Sequence, residues 1–119
     1  MEQAAQALRQ MIEGRRVAFI GAGVSHRQLI GMFCEMGAQV TLCDKKELEG
    51  FGEYADTLRR LGVALSLGEH YLDGLAGQDI ILRTPGFEYY TPALQQAIAA
   101  GSTVTSEMEL FFQLCPCMR

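Results

Sequence analysis

The feature that most constrains the fold is an apolar run ending in two glycines, RVAFIGAGVS, from Arg16 to Ser25. Its four consecutive apolar residues, 17–20, predict a strand buried on both faces, as in a parallel sheet. From Ser25 onward the apolar residues recur at helical spacing, and Gly37 is placed to end that helix in a left-handed cap. This order of strand, glycine turn and helix leaves the N–H groups of a helix N terminus at the carboxyl end of a strand, where anions bind.

The rest of the sequence continues the alternation of strand and helix. An amphipathic helix is predicted over 1–14, and further strands are predicted at 38–43, 63–66, 79–83 and 103–105. Residues 47–54 read as a loop or short helix, and 55–61 as a helix ended by Gly62. Residues 68–77 read as a connection with at most one helical turn. The pattern predicts an α/β fold with a five-stranded parallel sheet and helices on both faces.

Two further helices are predicted in the last third of the sequence. Thr91 and Pro92 have the pattern of a helix start, with a hydroxyl cap and proline at the first helical position, and Gly101 ends that helix. Ser106 and Glu109 have the spacing of a capping box for a last helix that runs to Pro116.

Composition excludes several classes of function. With 119 residues, 49% of them hydrophobic, and a net charge of −4, the protein suits one globular domain and lacks the basic surface of a nucleic-acid-binding protein. No stretch approaches the roughly 18 apolar residues of a membrane span, and the N-terminal segment lacks the apolar core of a signal peptide. The four cysteines fit neither a zinc spacing nor a secreted framework, which indicates reduced thiols in a cytoplasmic protein. A redox or metal role for Cys115 and Cys117 is disfavoured because no partner ligands accompany them.

Three elements are predicted to meet at the carboxyl edge of the sheet, where ligands bind in such folds. They are Gly21 to Ser25 after the first strand, Asp44 to Lys46 after the second and Thr84 to Gly86 after the fourth. Each element taken alone also has an interpretation without a ligand. The first would be a tight turn, the second a solvated carboxylate with a solvated lysine pair, and the third a proline turn. Asp44 lies about 20 residues beyond the glycines, where the dinucleotide fingerprint places an acid for ribose hydroxyls. Together the three elements predict a nucleotide site.

The two histidines carry no catalytic signal. His26 stands where the dinucleotide fingerprint has its third glycine, so the match to that fingerprint is partial. Neither His26 nor His70 has a neighbouring nucleophile or carboxylate at the spacing of a catalytic pair, so both are predicted to face solvent.

The set of motifs resembles the N-terminal domain of the Mur ligases, and most closely the branch that adds D-glutamate. The resemblance rests on the glycine turn from Gly21 to Ser25, on Cys43 to Lys45, on Arg83 to Gly86, and on Ser106 to Phe111. It covers almost all of the sequence. It implies a Rossmann-like domain, spanning 15–119, that binds the UDP part of UDP-MurNAc-L-alanine in cytoplasmic peptidoglycan precursor synthesis.

The resemblance also implies roles for individual residues. The backbone of Val24 and Ser25 and the Ser25 hydroxyl would hold the diphosphate. Asp44 and Lys45 would hold the uridine, and Lys46 would lie along the base or neutralise phosphate. The loop after the fourth strand would close the pocket. The binding residues that the resemblance implies are Gly23, Val24, Ser25, Asp44, Lys45, Lys46, Thr84, Pro85 and Gly86. The family more often has glycine at position 26, serine at 84 and arginine or threonine near 45.

The resemblance further implies that catalysis needs parts of the enzyme beyond these 119 residues. The family's phosphate loop, Gly-x-x-Gly-Lys-Ser/Thr, does not occur in the sequence. ATP, Mg²⁺ and D-glutamate are therefore expected to bind only in the full-length ligase, whose central and C-terminal domains would lie outside these residues, and the 119 residues alone are expected to be inactive. Two alternatives stay open: an NAD(P)-binding domain of a dehydrogenase or sensor, and a module of the same fold that has lost its ligand.

Overall fold

A five-stranded parallel sheet forms the centre of the molecule in the computed structural model, which describes residues 6, 9–21, 24–83 and 90–106. For residues 24 and 25 it describes the backbone alone. The strands are β1 (Arg16–Ile20), β2 (Gln39–Asp44), β3 (Ala64–Leu67), β4 (Ile80–Arg83) and β5 (Thr103–Ser106). The strand order is β3-β2-β1-β4-β5, and every neighbouring pair is parallel. This confirms the predicted sheet.

Helices connect consecutive strands. The α-helices are α1 (Val24–Glu35), α2 (Tyr54–Leu61) and α3 (Pro92–Ala99), and two 3-10 helices cover Leu48–Phe51 and Gly68–Leu75. Residues 9–12 are also helical, which agrees with the predicted N-terminal helix, and Ile12 is fully buried in the core. Residues 1–5, 7 and 8 lie outside the part of the protein that the structure describes.

The alternation of side chains along β1 separates two hydrophobic cores. Val17 and Phe19 point to one face, whereas Ala18 and Ile20 point to the other. The first core packs α1 and α2 on the sheet, and the second packs α3 and the longer 3-10 helix on the opposite face, so helices cover both faces as predicted. Fully buried members of the first core include Ile30, Phe33, Leu42, Leu58 and Leu82, and those of the second include Ile81 and Leu94.

Glycine ends the helices where the sequence pattern predicts it. Gly37 after α1 has φ 92°, and Gly62 after α2 has φ 76° with its N–H donating to the carbonyl of Arg59 at 3.2 Å. In this left-handed region a Cβ atom is strained, which explains why glycine stands at both positions.

The connection between β3 and β4 is more helical than predicted. Instead of one turn at most, 3-10 turns cover the eight residues Gly68–Leu75, with a kink at His70. The buried side chain of Leu75 anchors this segment to the second core, and that tertiary contact is not visible as a local pattern.

The start of α3 also differs in one detail. Pro92 opens the helix as predicted, and Thr91 precedes it with φ −56° and ψ 132°. However, the predicted capping hydrogen bond, in which the Thr91 hydroxyl would accept from a backbone N–H of the first turn, is not found among the described residues. The predicted capping box at Glu109 and the last helix lie beyond residue 106, outside the described residues.

Candidate functional site

The carboxyl ends of β2, β1 and β4 lie side by side at one edge of the sheet. Gly21, the residue after β1, donates its N–H to the carbonyl of Cys43 at 2.8 Å, which places it beside the end of β2. Phe19 pairs with Leu82 on the other side. The backbone leaves β1 towards β2 and leaves β4 towards β5, so the strand order reverses between β1 and β4. This reversal creates the crevice in which doubly wound sheets bind ligands.

The N terminus of α1 opens onto this edge. Gly21 turns the backbone with φ 89°, and the helix begins at Val24, three residues beyond it. The first turn of α1 carries no acidic side chain that would compete for its N–H groups. The backbone of Val24 and Ser25 is therefore at the predicted helix N terminus. Gly23 and the Ser25 side chain lie outside what the structure describes.

Asp44 ends β2 and organises the turn that follows. Its Oδ1 atom accepts a hydrogen bond from the N–H of Lys46 at 2.9 Å, the geometry of an Asx turn. The Asp44 side chain is half-buried, whereas both lysine side chains are exposed. The ammonium of Lys46 lies 6.0 Å from the ring centre of Phe51. The turn therefore brings one carboxylate and two cations to the carboxyl edge.

A small polar cluster packs behind Asp44. The Ser66 hydroxyl donates to the carbonyl of Tyr71 at 2.8 Å, which ties β3 to the longer 3-10 helix. Burial raises the pKa of the Tyr71 phenol, and the negative charge of Asp44 raises it further. Burial likewise raises the pKa of the Cys43 thiol to about 12, so the thiol stays protonated. Sequence reasoning missed Tyr71, because no residue pattern marked the connection that carries it as helical.

The third predicted element falls outside the described residues. Thr84, Pro85 and Gly86 follow β4 directly, but the structure describes the backbone only to Arg83 on that side. Arg83 pairs with Ser106 at the carboxyl ends of β4 and β5. The described part of β4 therefore ends at the same edge of the sheet as Gly21 and Asp44.

His26 does not face solvent, and the prediction that it does was wrong. Only 3% of the residue is exposed, and its Nδ1 atom lies 2.8 Å from the carbonyl oxygen of Gly21. The ring packs edge-on against Phe19 with centroids 5.3 Å apart. The sequence did not predict this burial, because a histidine at the start of a helix has no neighbouring residue pattern that indicates burial. His70 is exposed, as predicted.

The described residues at the carboxyl edge carry polar groups that suit the binding of an anionic ligand. They contain no group of three or more His, Cys, Asp or Glu side chains arranged to hold a metal ion. Within the same part of the protein, no helix combines the length and apolar character that crossing a membrane requires. A helix N terminus, a carboxylate and two lysines at one edge provide donors for phosphate and an acceptor for sugar or base.

Comparison with known proteins decides the family. Residues 15–106 match the family model described as "Mur ligase MurD-like, N-terminal domain". The chain belongs to this family. The chain is 40% identical over 116 residues to the "UDP-N-acetylmuramoylalanine--D-glutamate ligase" of Clostridium novyi (strain NT), covering 98% of this sequence and 25% of that protein. The ligase of the same description from Clostridium botulinum (strain Loch Maree / Type A3) is 44% identical over 108 residues, covering 91% and 24%. The chain thus spans about a quarter of the length of these curated relatives.

Solved structures with a similar backbone include a synthase and a dehydrogenase. The structure of dipicolinate synthase from Bacillus subtilis matches with a TM-score of 0.62 at 12% identity, over 97% of this chain and 47% of the matched protein. A shikimate 5-dehydrogenase from Mycobacterium fortuitum matches with a TM-score of 0.57 at 19% identity, over 94% and 52%. At such low identity these matches show the Rossmann-like fold alone. They do not favour a nicotinamide cofactor.

Proposed function

We propose that this protein is the UDP-binding domain of a ligase that adds D-glutamate to UDP-MurNAc-L-alanine in cytoplasmic peptidoglycan precursor synthesis. The family match over residues 15–106 is the observation that carries the proposal. In this proposal residues 15–119 form the binding domain, and residues 1–14 form a helix that packs on it through Ile12.

Two elements at the carboxyl edge would bind different parts of the ligand. The N–H groups at the start of α1, from Val24 and Ser25, would hold the diphosphate together with the turn at Gly23. Asp44 would accept hydrogen bonds from the uridine, because its half-buried carboxylate stands at the carboxyl end of β2. Lys45 is exposed beside it and would contact the uridine as well.

The remaining predicted contacts complete the proposed pocket. Thr84, Pro85 and Gly86 would cover the nucleotide from the loop after β4. Lys46, whose ammonium lies 6.0 Å from the ring centre of Phe51, would lie along the base or neutralise phosphate. These assignments follow the family resemblance, position by position.

The role of the domain in the reaction would be positional. In the full-length ligase, ATP would phosphorylate the L-alanine carboxylate, and the amine of D-glutamate would attack the acyl phosphate to form the amide, releasing ADP and phosphate. ATP and Mg²⁺ would bind in other parts of that enzyme, since the phosphate-loop sequence does not occur in these residues. Anchoring the remote UDP group would contribute binding energy that orients the reacting carboxylate.

Calorimetric titration with UDP, UDP-MurNAc-L-alanine and NADH tests the proposal. We expect the two uridine compounds to bind and NADH not to bind. We further expect Asp44→Asn to weaken UDP binding by about ten- to a hundredfold, the worth of a charge-assisted hydrogen bond. The asparagine keeps an oxygen to accept from the N–H of Lys46, so the turn is preserved.

Asp56→Asn is the matched control. Asp56 lies on α2 with 79% of its side chain exposed, and its contact with Arg59 is a surface ion pair at 3.7 Å. Its substitution should leave UDP affinity unchanged. NADH binding without uridine binding would refute the proposal and favour a dehydrogenase or sensor domain. If Asp44→Asn and Asp56→Asn bind UDP with equal affinity, Asp44 is not part of the site.

A further inference from the structure

The imidazole of His26 fills the space between the first turn of α1 and the end of β1. The residue is 3% exposed, its Nδ1 atom lies 2.8 Å from the Gly21 carbonyl oxygen, and its ring meets that of Phe19 at an angle of 74°. Phe19 in turn packs edge-on against Phe33 of α1. The histidine is thus held by aromatic contacts on one side and by a backbone carbonyl on the other.

The chemistry of this contact fixes the proton on the ring. A carbonyl oxygen can only accept a hydrogen bond, so Nδ1 must carry the hydrogen and donate it. In the neutral ring this is the Nδ1–H tautomer, which leaves Nε2 without a hydrogen. The tautomer is therefore an observable consequence of the hydrogen bond.

The hydrogen bond joins the two ends of the glycine turn. Gly21 already donates its N–H to the carbonyl of Cys43 at 2.8 Å, so β2 holds one side of the residue. His26 holds its carbonyl from the helix side. Both peptide groups that flank the Cα atom of Gly21 are therefore fixed, at the residue where the backbone turns with φ 89° towards the start of α1.

The dinucleotide fingerprint achieves this arrangement differently. Its third glycine lets the helix pack directly on the strand, whereas here a side chain lies between them. A side chain at this position removes the direct backbone contact, so the side chain must itself connect the helix to the strand. His26 makes a buried hydrogen bond to the Gly21 carbonyl, and a backbone group that is fixed in advance loses less entropy when a ligand binds beside it.

We propose that His26 is a positioning residue, whose Nδ1–H bond to the Gly21 carbonyl sets the turn that presents the N terminus of α1 to an anionic ligand. His26 touches no part of the ligand itself in this assignment. The choice of UDP as that ligand rests on the proposed function. The claim about the turn rests on the structure alone.

Two substitutions separate hydrogen bonding from simple filling of space. His26→Asn places an amide nitrogen at the δ position, where Nδ1 stands, whereas His26→Gln places it one bond further, near Nε2. We expect His26→Asn to bind UDP within about threefold of the original protein. We expect His26→Gln to bind about tenfold more weakly, the usual worth of one hydrogen bond. His70→Gln, at an exposed histidine, is the control and should change nothing.

Nitrogen-15 NMR of the imidazole provides a readout that requires no ligand. At about pH 8, where an ordinary imidazole is neutral, the His26 signals should be those of the Nδ1–H tautomer. Backbone amide signals from Gly21 to His26 should stay near their original positions in His26→Asn and move in His26→Gln. An Nε2–H tautomer, or equal behaviour of the two variants, would overturn the proposal.

The outcomes distinguish this proposal from the proposed function. If the original protein shows the expected tautomer and amide pattern but does not bind UDP, the turn is set by His26 and the assignment of UDP fails. If UDP binds with equal affinity to all variants, the assignment of UDP stands and the role of His26 fails. If neither His26 variant folds, the tautomer in the original protein still decides whether the hydrogen bond exists.

Discussion

Adding one methyl group at Gly74 should destabilise the fold, because the site is already filled. Gly74 lies in the 3-10 helix of Gly68–Leu75, packed against the carboxyl halves of β2 and β3. A Cβ atom built there would lie 2.6 Å from Cβ and 2.8 Å from Oγ of Ser66, and 3.0 Å from Sγ of Cys43. Favourable contacts between such atoms begin at about 3.5 Å.

The neighbours of Gly74 have little freedom to move away. Cβ of Ser66 is attached to the backbone of β3, its hydroxyl is bonded to the carbonyl of Tyr71 at 2.8 Å, and Cys43 is fully buried. Overpacking of this kind costs about 1–3 kcal/mol. Replacing glycine also lowers the entropy of the unfolded state, which offsets about 0.4–1 kcal/mol of that cost. We expect Gly74→Ala to lose about 1–2 kcal/mol of unfolding free energy.

Gly31→Ala provides the matched control, since the same methyl group is added in open space. Gly31 lies inside α1, and a Cβ atom there would meet nothing within 4 Å. Alanine is the better helix former, so this variant should gain about 0.5–1 kcal/mol. The two substitutions should therefore shift stability in opposite directions.

Urea unfolding followed by circular dichroism measures both effects. With a slope of about 1–3 kcal/mol per molar urea, Gly74→Ala should lower the midpoint by roughly 0.5–1 M. Ser66→Gly, which removes both closest atoms, should recover most of the loss in the double variant. If Gly74→Ala is as stable as the original protein, or if Ser66→Gly recovers nothing, the packing described around Gly74 is wrong.

Three further predictions concern the thiols and a helix end. Because the pKa of Cys43 rises from 9.0 to about 12 on folding, the folded state keeps its proton while the unfolded state loses it. The contribution of this thiol to the free energy of unfolding is therefore complete below about pH 9 and falls by about 1.4 kcal/mol per pH unit as the pH rises towards 12. In urea melts at several pH values, Cys43→Ala should lack this part of the pH dependence. A thiol reagent at about pH 8 should modify half-buried Cys34 before Cys43, as read by peptide mass spectrometry; faster labelling of Cys43 would contradict its burial. Gly62→Ala forces a side chain to φ 76° and should cost about 1–2 kcal/mol in the same melts, so an unchanged midpoint would refute the left-handed cap.

The elements that could be predicted from sequence are those marked by local chemistry. The apolar run 17–20 predicted β1, and the glycines at 37 and 62 predicted the ends of α1 and α2, because strand burial and left-handed caps each restrict residue type. The alternation of such segments then predicted the parallel sheet. The observed bounds of β2 and β3 lie one residue later than the predicted bounds, as expected where hydrogen bonds rather than side chains define the end of a strand.

The features that could not be predicted depend on contacts between distant segments. Burial of His26 requires Phe19 and the Gly21 carbonyl to meet it, and no periodic pattern encodes that meeting. Likewise, Tyr71 comes near Asp44 only because the connection after β3 folds back over the sheet edge. For the site, sequence alone predicted that Gly21 and Asp44 share one edge, since both follow parallel strands.

The most direct test of the proposed uridine diphosphate site is to map UDP binding by backbone amide NMR on the 119-residue protein. We predict that UDP shifts amides at the carboxyl edge, from Gly21 to Ser25, from Asp44 to Lys46 and from Thr84 to Gly86, and that NADH leaves them in place. Amides at the opposite edge, such as Gly37 and Asp79, should not move with either ligand. Shifts caused by NADH but not by UDP, or shifts confined to the opposite edge, would contradict the assignment of this edge as a uridine diphosphate site.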